Sequence, residues 1–196
     1  MEPNPAHKIV ILTAPSGAGK TSITRFLLNK YPDRLAFSIS AATRKARGNE
    51  KNGVDYYFLS EEEFRQKIQH EEFLEWEMVY EGKYYGTLKS EMQRIWDEGK
   101  VPLLDIDVKG AIHIEQQYPD TVLSLFIEPP SIEELKRRLH SRGTESKEAI
   151  EARVSKAEYE ISFKHSFDHE IVNDNLDRAC AEAEKLVLDF INTTVK

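Results

Sequence analysis

Three observations predict an α/β fold with a parallel sheet covered on both faces and a small mixed lobe inserted into it. Short apolar runs alternate with segments of helical period. One glycine-rich stretch joins a strand to a helix, and a mid-chain stretch breaks the alternation. The chain has 196 residues, enough for one such domain with its own core. Hydrophobic residues make up 40% and charged residues 31%, the balance of a folded chain rather than a disordered one.

The elements follow in order. Ile9-Val10-Ile11-Leu12 is a buried-strand run. Thr21 to Tyr31 has helical spacing, with Ile23, Phe26, Leu27 and Tyr31 on one face. Leu35 to Ser40 reads as a second strand, Val101 to Ile106 as a third, Val122 to Ile127 as a fourth and Glu170 to Val172 as a fifth. The rhythm breaks from about Ala42 to Gly86. Asp55 to Leu59 reads as a strand there, and Ser60 with Glu63 forms a capping box that opens a helix to about His70. Phe73 to Tyr80 and Lys83 to Thr87 read as a hairpin turning at Glu81-Gly82. Ser131 and Glu134 form a second capping box, opening a helix that carries Arg137, Arg138 and Arg142 and then meets Gly143. Another helix follows to about Phe163. On the residues alone, that glycine reads as a plain helix–helix turn, with a hinged flap as the alternative.

Charge narrows the classes of function. Lys and Arg number 27, Asp and Glu 34, giving a net charge of −7. That balance argues against a protein that wraps a nucleic-acid backbone, which needs a broad basic surface. A small phosphate ligand needs only a local arginine cluster. No apolar run approaches the ~18 residues of a membrane span. Met1 to Lys8 is polar with two prolines, unlike a secretory signal. The one cysteine, Cys180, has no partner for an internal disulfide. The expectation is a cytoplasmic protein that binds neither membrane nor nucleic acid.

Ala14-Pro15-Ser16-Gly17-Ala18-Gly19-Lys20-Thr21 lies between the first strand and the first helix. It fits the P-loop pattern G-x-x-x-x-G-K-[ST] everywhere except the first position, where Ala14 is tolerable if its φ stays negative. Glycines let backbone N–H groups turn inward around phosphate oxygens, and the helix N-terminus adds partial positive charge. Lys20 supplies a mobile cation for the β- and γ-phosphates of a nucleoside triphosphate, and the Thr21 hydroxyl can join a Mg²⁺ shell. The expected second part is an acid at the end of a buried strand. Asp105 provides it for Mg²⁺, the bland alternative being a cap on the next helix.

The remaining motifs are Ser40-Ala41-Ala42-Thr43-Arg44-Lys45-Ala46-Arg47, Gly53 to Phe58, Glu72 to Trp76, Tyr84 to Thr87, Asp105-Ile106-Asp107, Pro129-Pro130-Ser131, Arg142 to Glu145 and Val172-Asn173-Asp174. In this order and at these separations they resemble the guanylate kinase family, from about Ile9 to Phe190. Ala41, Ala42, Ala46 and Gly48-Asn49 depart from the family pattern beside the arginines and remove none of them. The resemblance implies ATP-dependent phosphorylation of GMP, with dGMP as a conceivable second acceptor. It implies a single domain with a three-layer P-loop fold on a five-stranded parallel core sheet. The phosphate loop would lie at 14–21, an inserted mixed α+β GMP-binding lobe at about 40–90, and a helical lid at about 138–153. Position by position, Arg44, Arg47, Tyr56 and Tyr85 would hold the GMP phosphate. Ser40, Glu75, Thr87 and Asp107 would read the guanine. Arg138, Arg142 and Arg153 would serve in or beside the lid, and Asn173 would sit near the adenine side of the ATP site.

Residue chemistry bears on these roles independently. A phosphate dianion suits paired guanidinium groups in a fixed fork. The guanine edge offers two donors, N1–H and N2–H₂, and one carboxylate accepts from both. Adenine has no N–H at N1 and would leave Glu75 unpaired, a mismatch that can discriminate by ~10⁴. Two other classes compete: a catalytically inactive guanylate-kinase-like binding module, and a kinase for another nucleoside monophosphate. Intact Lys20, Thr21 and Asp105 weigh against the first, and Glu75 beside Ser40, Thr87 and Asp107 against the second.

Overall fold

The computed structural model describes residues 7–141 and 147–193. In chain order the elements are β1 (Ile9–Thr13), α1 (Lys20–Lys30), β2 (Leu35–Phe37), β3 (Ala41–Ala42), β4 (Tyr57–Phe58), α2 (Glu61–Gln69), β5 (Phe73–Tyr80) and β6 (Lys83–Leu88). There follow α3 (Lys89–Asp97), β7 (Val101–Asp105), α4 (Val108–Gln117), β8 (Val122–Glu128), α5 (Ile132–Ser141), α6 (Lys147–Ile161), β9 (His169–Val172) and α7 (Leu176–Asn192).

Five strands form one parallel sheet in the order β2-β7-β1-β8-β9. Apolar side chains alternate across it. Val10 and Leu12 pack with Leu27 of α1 and Ala183 and Val187 of α7 on one face. Ile9 and Ile11 pack with Met92 of α3 and Ala111 and Ile114 of α4 on the other. Both faces of β1 are thus covered, so its run is continuously apolar rather than alternating. The result is three layers, with β1 central and its C-terminal end feeding the phosphate loop.

A second sheet, β4-β3-β6-β5, is mixed: β3 pairs parallel with β4 and antiparallel with β6, and β5 pairs antiparallel with β6. It has its own apolar cluster around Phe64 of α2, which stacks on Phe73 at 4.2 Å and on Tyr84 at 5.4 Å between ring centroids. The hairpin turns at Gly82, whose φ is 69°. The Ser60–Glu63 box is fully formed. Ala41 and Ala42, which depart from the family pattern, are both fully buried and form β3.

Three expectations needed correction. The second strand ends at Phe37 instead of Ser40, because the chain leaves the core sheet there to enter the lobe. The 55–59 strand shrinks to Tyr57–Phe58, because Asp55 is used in a turn, accepting from Lys51 N–H at 2.7 Å. The Ser131–Glu134 box is half formed. Ser131 Oγ accepts from the Glu134 N–H at 3.1 Å, while the Glu134 carboxylate turns to Arg137 and Arg138. Helices α5 and α6 meet through Leu135, Leu139, Ile150 and Ala157. Gly143, on which the choice between turn and flap rested, lies outside the described residues. Among the described residues, no helix is long and apolar enough to cross a membrane.

Core and lobe are joined by a buried carboxylate that the sequence did not flag. Glu91 of α3 accepts from the Ile39 N–H at 3.0 Å, the Tyr57 hydroxyl at 2.8 Å, and Arg94 Nε and Nη2 at 3.0 and 2.8 Å. Burial alone would push its carboxyl up; Arg94, the Ile39 N–H and Tyr57 outweigh that and hold it below the ordinary value. Glu91→Ala strips partners from the lobe entry, from β4 and from α3 at once. Denaturant unfolding should show a loss of about 2–4 kcal/mol.

Candidate active site

The phosphate loop runs from the end of β1 into α1. Gly17 and Gly19 adopt left-handed φ values of 97° and 102°, which turn the loop so that its N–H groups can face one point. Ala14 is absent from the residues of positive φ, so the alanine in place of glycine is unstrained. The loop is held from behind. Asn173, buried just after β9, donates its Nδ2 to the Ala18 carbonyl at 2.7 Å. A Cβ on Gly19 would lie 2.1 Å from that nitrogen, so Gly19 is fixed both by φ and by space. Against Gly17 stand Leu135 and Leu139 of α5, so the α5–α6 pair is seated on the loop itself.

Lys20 Nζ lies 2.5 Å from Asp105 Oδ1 and 3.3 Å from the Ile106 carbonyl. Asp105 ends β7, the strand beside β1. The strand-end acid is therefore paired to the loop lysine; it is Asp107 that caps α4, its Oδ1 accepting from the Gly110 N–H at 2.9 Å. The Thr21 hydroxyl and the Asp105 carboxylate are hard oxygen donors at the mouth of one chamber, a donor set that suits Mg²⁺. That chamber, about 380 Å³, is lined by the loop, by Asp105, Ile106 and Asp107, and by Lys156 and Glu160 of α6. Arg153 of α6 donates to Ser16 Oγ at 3.0 Å. Arg138 donates to Glu134 at 2.8 Å and to the Asn173 carbonyl at 2.9 Å. Arg142 lies outside the described residues.

A second cavity of about 240 Å³ opens between lobe and core, and Asp105, Ile106 and Asp107 line it as well. Its other walls include Ser40, Tyr56, Glu75 and Tyr85. The pairing of β5 with β6 sets Glu75 directly opposite Thr87. Thr87 is fully buried and donates its hydroxyl to Glu75 Oε1 at 2.7 Å. Glu75 is 7% exposed, and burial pushes its carboxyl up to about 7 despite that hydroxyl. At the outer end, Arg44 lies over the Tyr56 ring at 4.6 Å, and Tyr56 meets Tyr85 edge-on at 6.2 Å. Arg44 makes a fork to Glu50 at 2.6 and 2.8 Å, and the Arg47 N–H donates to the same carboxylate at 2.8 Å. These contacts, Arg44 foremost, hold the Glu50 carboxyl down at about 2. The Arg47 side chain is exposed on the same loop.

The predicted residues thus fall into two adjoining chambers. Ser40, Tyr56, Glu75, Tyr85 and Asp107 line one, with Thr87 behind Glu75 and Arg44 at its rim. The loop, Lys20, Thr21 and Asp105 form the other. Asn173 stands against the back of the loop. Sequence reasoning missed Glu91, Glu160 and Gly110. The first two had no spacing signal; Gly110 did, as an isolated glycine inside a helical pattern.

A phosphate loop with a strand-end acid, sharing a wall with a second cavity, defines a P-loop nucleotide-binding protein. Comparison with known proteins narrows the class. The family model described as Guanylate kinase matches residues 6–189. A guanylate kinase of Bacteroides fragilis is 50% identical over 184 residues, covering 94% of this chain and 90% of its own. One of Porphyromonas gingivalis is 51% identical over 184 residues, covering 94% and 98%. The crystal structure of guanylate kinase from Anaplasma phagocytophilum superposes with a TM-score of 0.74 at 31% identity, covering 96% of this chain and 88% of that one. The chain belongs to the guanylate kinase family.

The raised carboxyl of Glu75 has a consequence for stability. Its value moves from 4.5 to about 7 on folding, so between those values the folded chain holds a proton that the unfolded chain has lost. That contribution is complete below the unfolded value and is lost as pH rises through about 7. Glu75→Gln removes the buried charge. Thermal unfolding of the ligand-free protein should show the variant gaining stability relative to wild type from pH 4 to pH 8, by up to about 3 kcal/mol.

Proposed function

We propose that the chain is an ATP-dependent guanylate kinase that transfers the γ-phosphoryl group of ATP to GMP, giving ADP and GDP. The observation that carries this reading is the placement of the buried Glu75 carboxylate in a cavity that shares Asp105, Ile106 and Asp107 with the phosphate chamber. One wall then serves two ligands, and a nucleotide bound at Glu75 lies beside the chamber that holds the loop.

Each side chain then has a stated task. Glu75, ionised, accepts from guanine N1–H and N2–H₂; Thr87 fixes its other oxygen, and Ser40 and Asp107 complete the edge. Arg44 and Arg47 neutralise the GMP phosphate, with the Tyr56 and Tyr85 hydroxyls as uncharged donors. Glu50 holds Arg44 in its fork, so that the guanidinium is oriented before the ligand arrives. Ala14 to Thr21 cradle the ATP phosphates; Lys20 exchanges Asp105 for the β- and γ-oxygens. Asn173 acts from behind, by holding the Ala18 carbonyl. Thr21 and Asp105 would hold Mg²⁺, which when bound neutralises phosphate charge. Arg138 and Arg153 form the cationic side of a lid built on α5 and α6, and the family resemblance gives Arg142 the same task.

The reaction needs no side-chain nucleophile. A phosphate oxygen of GMP attacks the γ-phosphorus in line. The new P–O bond forms as the bond to the β–γ bridging oxygen breaks, and ADP leaves with that electron pair. The protein positions both partners, balances charge and keeps water out. A cytoplasmic setting and dGMP as a second acceptor belong to the same proposal.

ADP release should be followed with ATP and Mg²⁺ while GMP, AMP, UMP, CMP and dTMP are offered separately. Rapid turnover with GMP alone is expected. Turnover with another monophosphate would keep the kinase and overturn the guanine pocket, while none at all from folded, GMP-binding protein would favour a binding module. Lys20→Ala should lower kcat by about 10³-fold or more while circular dichroism stays that of wild type.

A further inference from the structure

Gly110 is the third residue of α4, and its backbone is helical with no positive φ. Nothing in its conformation calls for glycine, and alanine would favour the helix. Its N–H is used, in the cap on Asp107, but a cap of that kind is open to any residue other than proline. What alanine would meet is Glu75. A Cβ built on Gly110 lies 2.8 Å from Glu75 Oε2 and 3.2 Å from its carboxyl carbon. The next nearest atom is Asp107 Oδ1, at 3.6 Å, an ordinary contact. The collision is with the end of one side chain and with no backbone atom.

That side chain has few ways to yield. Its other oxygen is bonded to the buried Thr87 hydroxyl, and β5 fixes its backbone against β6. A methyl group at position 110 would therefore displace the carboxylate while leaving the helix intact.

We propose that Gly110 is a positioning residue for substrate choice: the missing Cβ on α4 is the space in which the Glu75 carboxylate stands to receive the guanine edge. The inference rests on the guanine-reading role given to Glu75 above. It adds a residue that never touches the ligand, contributed by the core rather than the lobe. It also ties the base-reading acid to Asp107, since Gly110 accommodates one carboxylate with its empty side-chain position and binds the other with its N–H.

The test compares steady-state constants for Gly110→Ala, Glu75→Gln, Glu75→Asp and Gly110→Ala/Glu75→Asp, alongside thermal unfolding. Gly110→Ala should raise KM for GMP by at least about tenfold, the scale of a misplaced buried polar contact, with KM for ATP unchanged. Its melting temperature should match or exceed that of wild type. In the double variant the shorter acid recedes from the new methyl group, so the alanine should add less than about twofold to the KM of Glu75→Asp alone. A Gly110→Ala enzyme with wild-type KM for GMP overturns the inference, as does a full additive loss in the double variant. If Gly110→Ala fails to fold, the double variant should fold; failure of both would place the clash elsewhere and overturn it. Glu75→Gln separates the two readings. If it loses GMP binding while Gly110→Ala keeps it, only the role of Gly110 falls. If Glu75→Gln keeps the wild-type KM for GMP, the reading of Glu75 falls and this inference with it.

Discussion

Taking a carboxylate out of water costs several kcal/mol unless donors replace the lost hydration, and at Glu75 the replacement in the ligand-free protein comes from Thr87, through its hydroxyl and its backbone N–H. The group is left half-compensated in a cavity lined by both core and lobe. Much of the surrounding design follows from that. The lobe sheet must set Glu75 opposite Thr87. Helix α4 must approach without a side chain at Gly110. The lobe itself must be held to the core, which Glu91 does with hydrogen bonds to Ile39 and Tyr57. On the function proposed above, a guanine edge would supply the donors that the fold withholds, and stability surrendered by the free protein would reappear as selectivity for the ligand.

The phosphate side follows the same logic with opposite charge. Lys20 is not left to solvent but rests on Asp105, and Arg44 rests on Glu50. Each cation is kept by a carboxylate near the place where the proposed function puts a phosphate. Lys20 must change partners to act, whereas Arg44 can keep Glu50 as a support and offer its remaining N–H groups. Asn173 and α5 fix the loop from outside, so the loop glycines meet side chains where a Cβ would have stood.

The core was the most legible part in sequence. A short, β-branched apolar run such as Ile9 to Leu12, leading into a glycine-rich loop, reads as a strand buried on both faces, as β1 is. The capping box at Ser60 and the hairpin turn at Gly82 were readable because local chemistry alone decides them. Strand ends were less so: Leu35 to Ser40 looks extended throughout, and only the tertiary demand that Ile39 meet Glu91 shortens it. The P-loop was legible because its backbone needs glycines at fixed spacing. Glu75 was not legible from chemistry, since an acid on an alternating strand looks solvated; the resemblance alone singled it out. Glu91 and Glu160 were invisible, because their burial is set by elements distant in sequence. Gly110 left a trace, a glycine where a helix would prefer another residue, but its reason lies in β5.

The central claim is that Glu75 is held near neutrality by burial and becomes charged when guanine arrives. Calorimetry of GMP binding without ATP, in buffers of different ionisation enthalpy, reads this directly. Ribose 5-phosphate, which carries the phosphate without the base, serves as the reference for the proton exchange of the phosphate itself. With the Glu75 carboxyl at about 7, the protein at pH 7 should release about half a proton more per GMP bound than per ribose 5-phosphate bound. Equal proton release with the two ligands would contradict the account.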